Sequence, residues 1–228
     1  MPGMTKLTEV HAPQDIVCPV LGSLVHEGRV RLRPDGTVPL DELTHAWRAL
    51  GLSAPLRAGL RSLGYFANSP LDVLHNARAG ELNVLDLKDG LLTHPADSGV
   101  LSHGRLDEDA FDRLTEHAEG GVMTIDAFAR AIARNVRRDL EPGQLFDTVL
   151  RGMNASVVEF SGLLALFGRR DHAHGKLGIS VDELRALYFE QRLPISNGGA
   201  VHEVLSVHAL MMIKVEAALA AALRSRQA

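Results

Sequence analysis

The chain of 228 residues holds one cysteine, one tryptophan, two tyrosines and seven phenylalanines, so that aromatics make up only 4% of it. A single thiol excludes an internal disulfide framework. With 46% hydrophobic residues and so few aromatic ones, Leu, Val and Ala must build the core, which favours helices over a sandwich of β-branched and aromatic strands. An excess of basic charge is missing too. The formal net charge is −4, which offers a nucleic acid or other polyanion no electrostatic footing. The amino terminus MPGMTKLTEVHAPQD has no apolar signal core, and no stretch is expected to be long enough to span a membrane. These absences lead to an expected cytoplasmic, all-α protein. It would have a polar leader over 1–14, then a single globular domain of about eight to ten helices over 15–228, ending in a helix over 200–224.

What is present is mostly helical periodicity. Val20, Leu21, Leu24 and Val25 suit a short helix after Cys18, and Pro34-Asp35-Gly36 supplies a turn. A helix follows from about Pro39, with Leu40, Leu43, Trp47 and Leu50 on one face, and another is expected over 53–66. Gly80 to Gly104, punctuated by glycines and His94-Pro95, reads as a functional loop or lid rather than a strand pair. Phe111, Leu114 and Ala118 mark the next helix. The clearest one carries Ile125, Phe128, Ala129, Ile132, Ala133 and Val136, with Arg137 and Arg138 at its negative end. Ser180 and Glu183 form a capping box for a helix that Pro194 is expected to stop. The last helix, with Val204, Leu205, His208, Met211, Met212, Val215 and Leu219 at helical spacing, either docks on the core or makes a homodimer contact.

Two residues stand out chemically. Cys18 is followed at once by Pro19, and a sole cysteine is commonly an inert buried apolar residue. Glu159 is the single charged side chain in VVEFSGLLALF, a segment apolar on all sides. It pairs with an arginine, lies at the exposed start of the helix, or acts as a general acid/base, its pKa raised by an apolar pocket.

The order of these segments resembles the heme-thiolate peroxidases, the family of chloroperoxidase and the unspecific peroxygenases. The matching residues are Val17-Cys18-Pro19, Leu24, His26-Glu27-Gly28, Pro34-Asp35-Gly36, the 112–139 helix pair, Glu159 with Leu163, Leu164, Leu166, Phe167 and Gly168, and the closing Gln191-Arg192-Leu193-Pro194. The likeness runs from about residue 15 to 198. It departs from the family at the first proline of the Pro-Cys-Pro hallmark and at the Asn-His pair. The family's Glu-His-Asp-x-Ser loop also lacks its glutamate in Thr93-His94-Pro95-Ala96-Asp97-Ser98. The resemblance implies heme b held between helices, with Cys18 as proximal iron ligand beside Pro19. It implies Glu159 as the acid/base that moves the proton of hydrogen peroxide, and His94 as the residue that orients it. Asp97 and Ser98 would hold a magnesium ion beside the heme, although Asp97-Ser98-Gly99 reads equally as a plain turn. The reaction implied is peroxide-driven oxidation or oxygenation of a small organic molecule, or of halide. A thiolate ligand donates electron density that favours O–O cleavage.

Two other readings compete. Asp35-Gly36-Thr37-Val38 with Glu42, and Ile179 with Glu183, mimic parts of an EF-hand loop. Arg31, Arg33, His172 and His174 then fall where calcium needs oxygen donors. A noncatalytic helical interaction protein that uses no heme is the other. The histidines His172 and His174 read as loop residues, and His202 and His208 as packing or surface residues.

Overall fold

The computed structural model describes residues 16, 18–62, 80–83, 101–102, 105–106, 108–138, 153–170, 175–198 and 201–224. Among these are eight helices: α1 (Pro19–His26), α2 (Leu40–Ala49), α3 (Ala54–Ser62), α4 (Glu108–Thr115), α5 (Ile125–Arg138), α6 (Met153–Phe167), α7 (Val181–Phe189) and α8 (Val201–Arg224). The chain is mostly helical, as its composition implies, but small antiparallel sheets join the helices. β1 (Thr37–Pro39) pairs with β2 (Glu81–Asn83), and β3 (Leu101–Ser102) with β4 (Arg105–Leu106). β7 (Leu177–Ser180) lies between β5 (Val122–Thr124) and β6 (Arg169–Arg170). Runs of two to four residues are too short to display the alternation that marks a strand in sequence. Gly80 to Gly104 contributes a short strand near each end, where only a loop was expected, and 84–100, the body of the expected loop, lies outside the described residues.

Local chemistry explains the helices. Pro19 opens α1 at its first position, where a missing N–H costs nothing. Asp41 and Glu42 sit in the first turn of α2, whose inner face buries Leu40, Leu43, Ala46 and Trp47. In α5 the expected face is buried at Phe128, Ala129, Ile132 and Ala133, joined by Ala127 and Ala131. Ser180 caps α7 through the Glu183 amide at 3.2 Å, and Glu183 returns a carboxylate to the Ser180 amide, completing the capping box. α7 ends at Phe189, well before Pro194, because Gln191 takes a left-handed φ of 50° that no helix continues through.

Two apolar cores result. One gathers α1, α2, β1 and β2 around Leu24, Leu43 and Trp47; the other gathers α4 to α8 around Phe111, Phe128, Phe160 and Tyr188. Val20, Leu166 and Leu193 pack against both, so the seam between the cores runs past α1, the end of α6 and the segment after α7. That segment straps the seam. The Leu193 amide donates to Glu27 at 3.0 Å, the Asn197 amide to the Leu166 carbonyl at 2.7 Å, and the Ser196 hydroxyl to the Leu50 carbonyl. The strap can approach the end of α2 because Gly51 meets Gly198 there; a Cβ on Gly51 would lie 2.8 Å from the Gly198 Cα. α8 docks along α5 and α6 through Met211 and Val215. Its His202–Ala221 stretch has a mean hydropathy of 1.7 and is long and apolar enough to cross a membrane, contrary to the expectation that no stretch is.

Candidate functional site

Cys18 and Glu159 lie near enough across the seam for the charge of Glu159 to act on the thiol. Cys18 is the N-cap residue of α1 and belongs to the first core; Glu159 lies on α6 in the second, and each is 8% exposed. α6 buries Val157, Phe160, Leu163, Leu164 and Phe167, so it presents apolar surface to nearly every neighbour. A carboxyl on such a helix must find a partner or hold its proton. Glu159 finds half of one. The Tyr188 hydroxyl, from α7, donates to its Oε1 at 2.6 Å, while Oε2 is buried without a hydrogen-bond partner among the described residues. Among the described residues Glu159 pairs with a tyrosine and with no arginine. The phenol ring of Tyr188 is held edge-on by Phe111, with centroids 6.3 Å apart.

The electrostatics follow from burial. Loss of water pushes the Glu159 carboxyl up to about 7, and the Tyr188 hydrogen bond, which favours the carboxylate, restrains the rise. Burial likewise pushes the Cys18 thiol up to about 11; the amide of Leu21 opposes this, the charge of Glu159 adds to it, and the amide of Val20 opposes it again. Neither amide makes a capping hydrogen bond to the side chain. Tyr188 is raised well above the usual phenol range by burial first, then by Glu159 and Cys18, so it remains a donor throughout the working pH range. The three groups, all buried, thus feel one another's charge.

Of the residues singled out from sequence, Cys18, Pro19 and Glu159 are described. His94, Asp97 and Ser98 lie outside the described residues, as do His172 and His174. Among the described residues no group of three or more His, Cys, Asp or Glu side chains is arranged to hold a metal ion. Arg169 and Arg170 sit exposed on β6. Arg169 pairs with Glu183 at 2.7 Å, and Arg170 donates to the Gly175 carbonyl at 3.3 Å. Both line a cavity of about 550 Å³ with Asn197, His202 and Ser206, and neither Cys18 nor Glu159 is in its lining. Tyr188 was missed by sequence reasoning. The signal was present, since Leu184, Leu187 and Tyr188 share one buried face of α7, and a buried tyrosine hydroxyl needs an acceptor.

The EF-hand-like loops are neutralised by the chain's own cations. Arg31 gives Glu42 both its backbone amide, at 2.8 Å, and its guanidinium, at 2.6 Å. Glu183 is taken up by the capping box with Ser180 and by Arg169 at 2.7 Å. Lys176, inside that second loop, pairs outside it with Glu119 at 2.9 Å, and Lys176 with Arg130, at 2.8 Å, lowers the Glu119 carboxyl to about 2. Each carboxylate is met by an arginine or lysine where a calcium loop would offer more oxygen. No family model and no curated protein matches this chain.

Proposed function

We propose that the chain is a heme-thiolate peroxidase or peroxygenase that uses hydrogen peroxide to oxidise or oxygenate a small molecule. Cys18 would be the iron ligand and Glu159 the acid/base. One observation carries the reading: a nine-tenths-buried carboxyl with one oxygen held and the other without a partner among the described residues, near enough to the chain's single thiol for its charge to be felt there. The donor chemistry fits heme iron. A thiol at a helix start is supported as thiolate by that helix's positive end. Coordination to a metal ion removes the proton that burial otherwise holds on sulfur. Bound there, heme would supply the redox chemistry of peroxide O–O cleavage, favoured by electron donation from sulfur.

The chain's own residues do the rest. Glu159, poised at about 7, accepts and returns a proton with nearly equal ease at neutral pH, which is what general acid–base catalysis requires. Tyr188 occupies Oε1, so Oε2 is the oxygen left to carry the proton. The family likeness gives the orienting role to His94, which lies outside the described residues; among those, Tyr188 is the partner of Glu159. Phe160 and Leu163, buried beside Glu159 on α6, keep water from levelling its pKa. The test is peroxide turnover by the heme-loaded chain: Glu159→Gln should cost about 10² to 10⁴-fold while heme is retained, and undiminished turnover would rule Glu159 out as the acid/base.

The noncatalytic alternative draws on the self-neutralised loops, in which Arg31 and Arg169 make the EF-hand-like turns structural rather than ion-binding. It leaves the buried Glu159–Tyr188 pair without a purpose, since an apolar pair of the same volume would be at least as stable.

A further inference from the structure

The cavity beside β6 opens on the far side of α6 from Glu159. Leu164 and Ala165 form its floor, and they follow Glu159 by five and six residues. At about 3.6 residues per turn, that sets them roughly 120° to 140° round the helix from it. Gly168, Leu177 and Val207 complete an apolar lining. The rim is polar and exposed: Arg169 and Arg170 reach it from β6, Asn197 from the strap, and His202 and Ser206 from the first turns of α8. Its parts are held in place. Glu183 holds Arg169 at 2.7 Å, the Gly175 carbonyl accepts from Arg170 at 3.3 Å, and Asn197 donates its side-chain amide to the Gly168 carbonyl. A guanidinium tied at one nitrogen keeps further N–H donors for a ligand. Glu203 is the single carboxylate in the lining among the described residues, against two guanidiniums, on a chain of net charge −4. α8, at 24 residues, brings the positive end of its dipole to the same rim. Ser161 stands on the floor's face of α6, one turn before Leu164 and Ala165. It is 1% exposed, and its hydroxyl has no partner among the described residues. A native fold rarely leaves such an atom unserved.

We propose that this cavity binds a small organic acid, its carboxylate against Arg170 and His202 at the start of α8 and its apolar body on Leu164, Leu177 and Val207. Small-molecule sites divide their work in this way, with apolar lining for affinity and a few charged groups at one edge for orientation. The volume of about 550 Å³ lies inside their usual range of roughly 300–1,000 Å³. Arginine meets a carboxylate with two parallel N–H groups, and the unbonded amides of a helix's first turn favour the same negative charge. Glu203 on the rim sets the charge of the ligand. A phosphate dianion would be repelled by that carboxylate more strongly than a monoanion is. An acid without an apolar body would leave the floor in water and forfeit its burial. Because the floor faces away from Glu159, binding needs no heme and stands apart from the function proposed for that residue.

The test is calorimetric titration of the full chain, without added heme, with heptanoate, 1-heptanol and inorganic phosphate. Heptanoate should saturate a single site with a dissociation constant of roughly 0.1 to 1 mM, as an acid of its size allows. The alcohol and phosphate should each bind at least about tenfold more weakly, since each lacks one half of the recognition. Amide NMR shifts on the unaltered chain should place heptanoate at Gly168, Arg170, Asn197 and His202. Arg170→Ala, at an exposed position, should weaken binding about tenfold. Ser206→Phe should close the cavity mouth, and both variants should keep the parent's circular dichroism. Absence of saturable heptanoate binding overturns the proposal. So does heptanol or phosphate binding as tightly as heptanoate, NMR shifts that map away from β6 and the start of α8, or an affinity that neither variant moves.

Discussion

Ionising Glu159 inside the fold is costly, and the cost can be read as stability against pH. The carboxyl releases its proton near 4.5 in the unfolded chain and near 7 in the folded one. Between those values the folded state binds more protons than the unfolded state, so stability falls as pH rises through the window and levels off above it. At 1.36 kcal/mol per pH unit the loss is about 3 kcal/mol. For a chain of this length that corresponds to roughly 6–12 °C in Tm. Exposed carboxylates such as Glu119, Glu42 and Asp35 have lowered values and act the other way, but in the more acid range. The difference between wild type and Glu159→Gln isolates the site, because glutamine keeps an acceptor for the Tyr188 hydroxyl and cannot ionise. Thermal melts of the protein without added heme from pH 4 to 8.5 should show Glu159→Gln gaining on wild type as pH rises. Tyr188→Phe should shift the window upward, since the lost hydrogen bond favoured the carboxylate. A wild-type-minus-variant difference that stays flat across the window would refute the assignment of Glu159 as a buried, desolvated acid.

Two further outcomes follow from the same contacts. Calcium added to the chain should leave Tm unchanged, because Arg31 and Arg169 already occupy Glu42 and Glu183; a calcium-dependent rise of several degrees would revive the EF-hand reading. Ser180→Ala should cost about 1 kcal/mol of stability by loss of the N-cap, measured by urea unfolding, and a neutral result would mean that packing of α7 alone sets its start.

The parts of the fold legible in sequence were those written in helical period or in capping chemistry. α2 and α5 bury the faces that their spacing indicated, and Ser180 with Glu183 forms the expected box. The small sheets were not legible, because pairs such as Met123 with Ile179 join residues far apart in the chain and each strand is only a few residues long. The end of α7 was misjudged because a left-handed Gln191 leaves no signature comparable to a proline or glycine. Leu205, expected on the docked face of the last helix, is open to solvent, since the apolar residues of α8 run round most of its circumference and period alone does not choose a side. In the site, Glu159 was visible as a lone charge in an apolar helix. Its partner was not, because Tyr188 lies on another helix 29 residues on, and only the fold brings the hydroxyl within 2.6 Å.

The central claim, that Cys18 supplies a thiolate to heme iron, meets its most direct test in one absorption spectrum. Purified protein reconstituted with heme b, reduced and exposed to carbon monoxide, should show the red-shifted Soret band of thiolate ligation, and Cys18→Ala should lose that band. A histidine-type spectrum, or no retention of heme by the folded wild-type chain, would contradict the account.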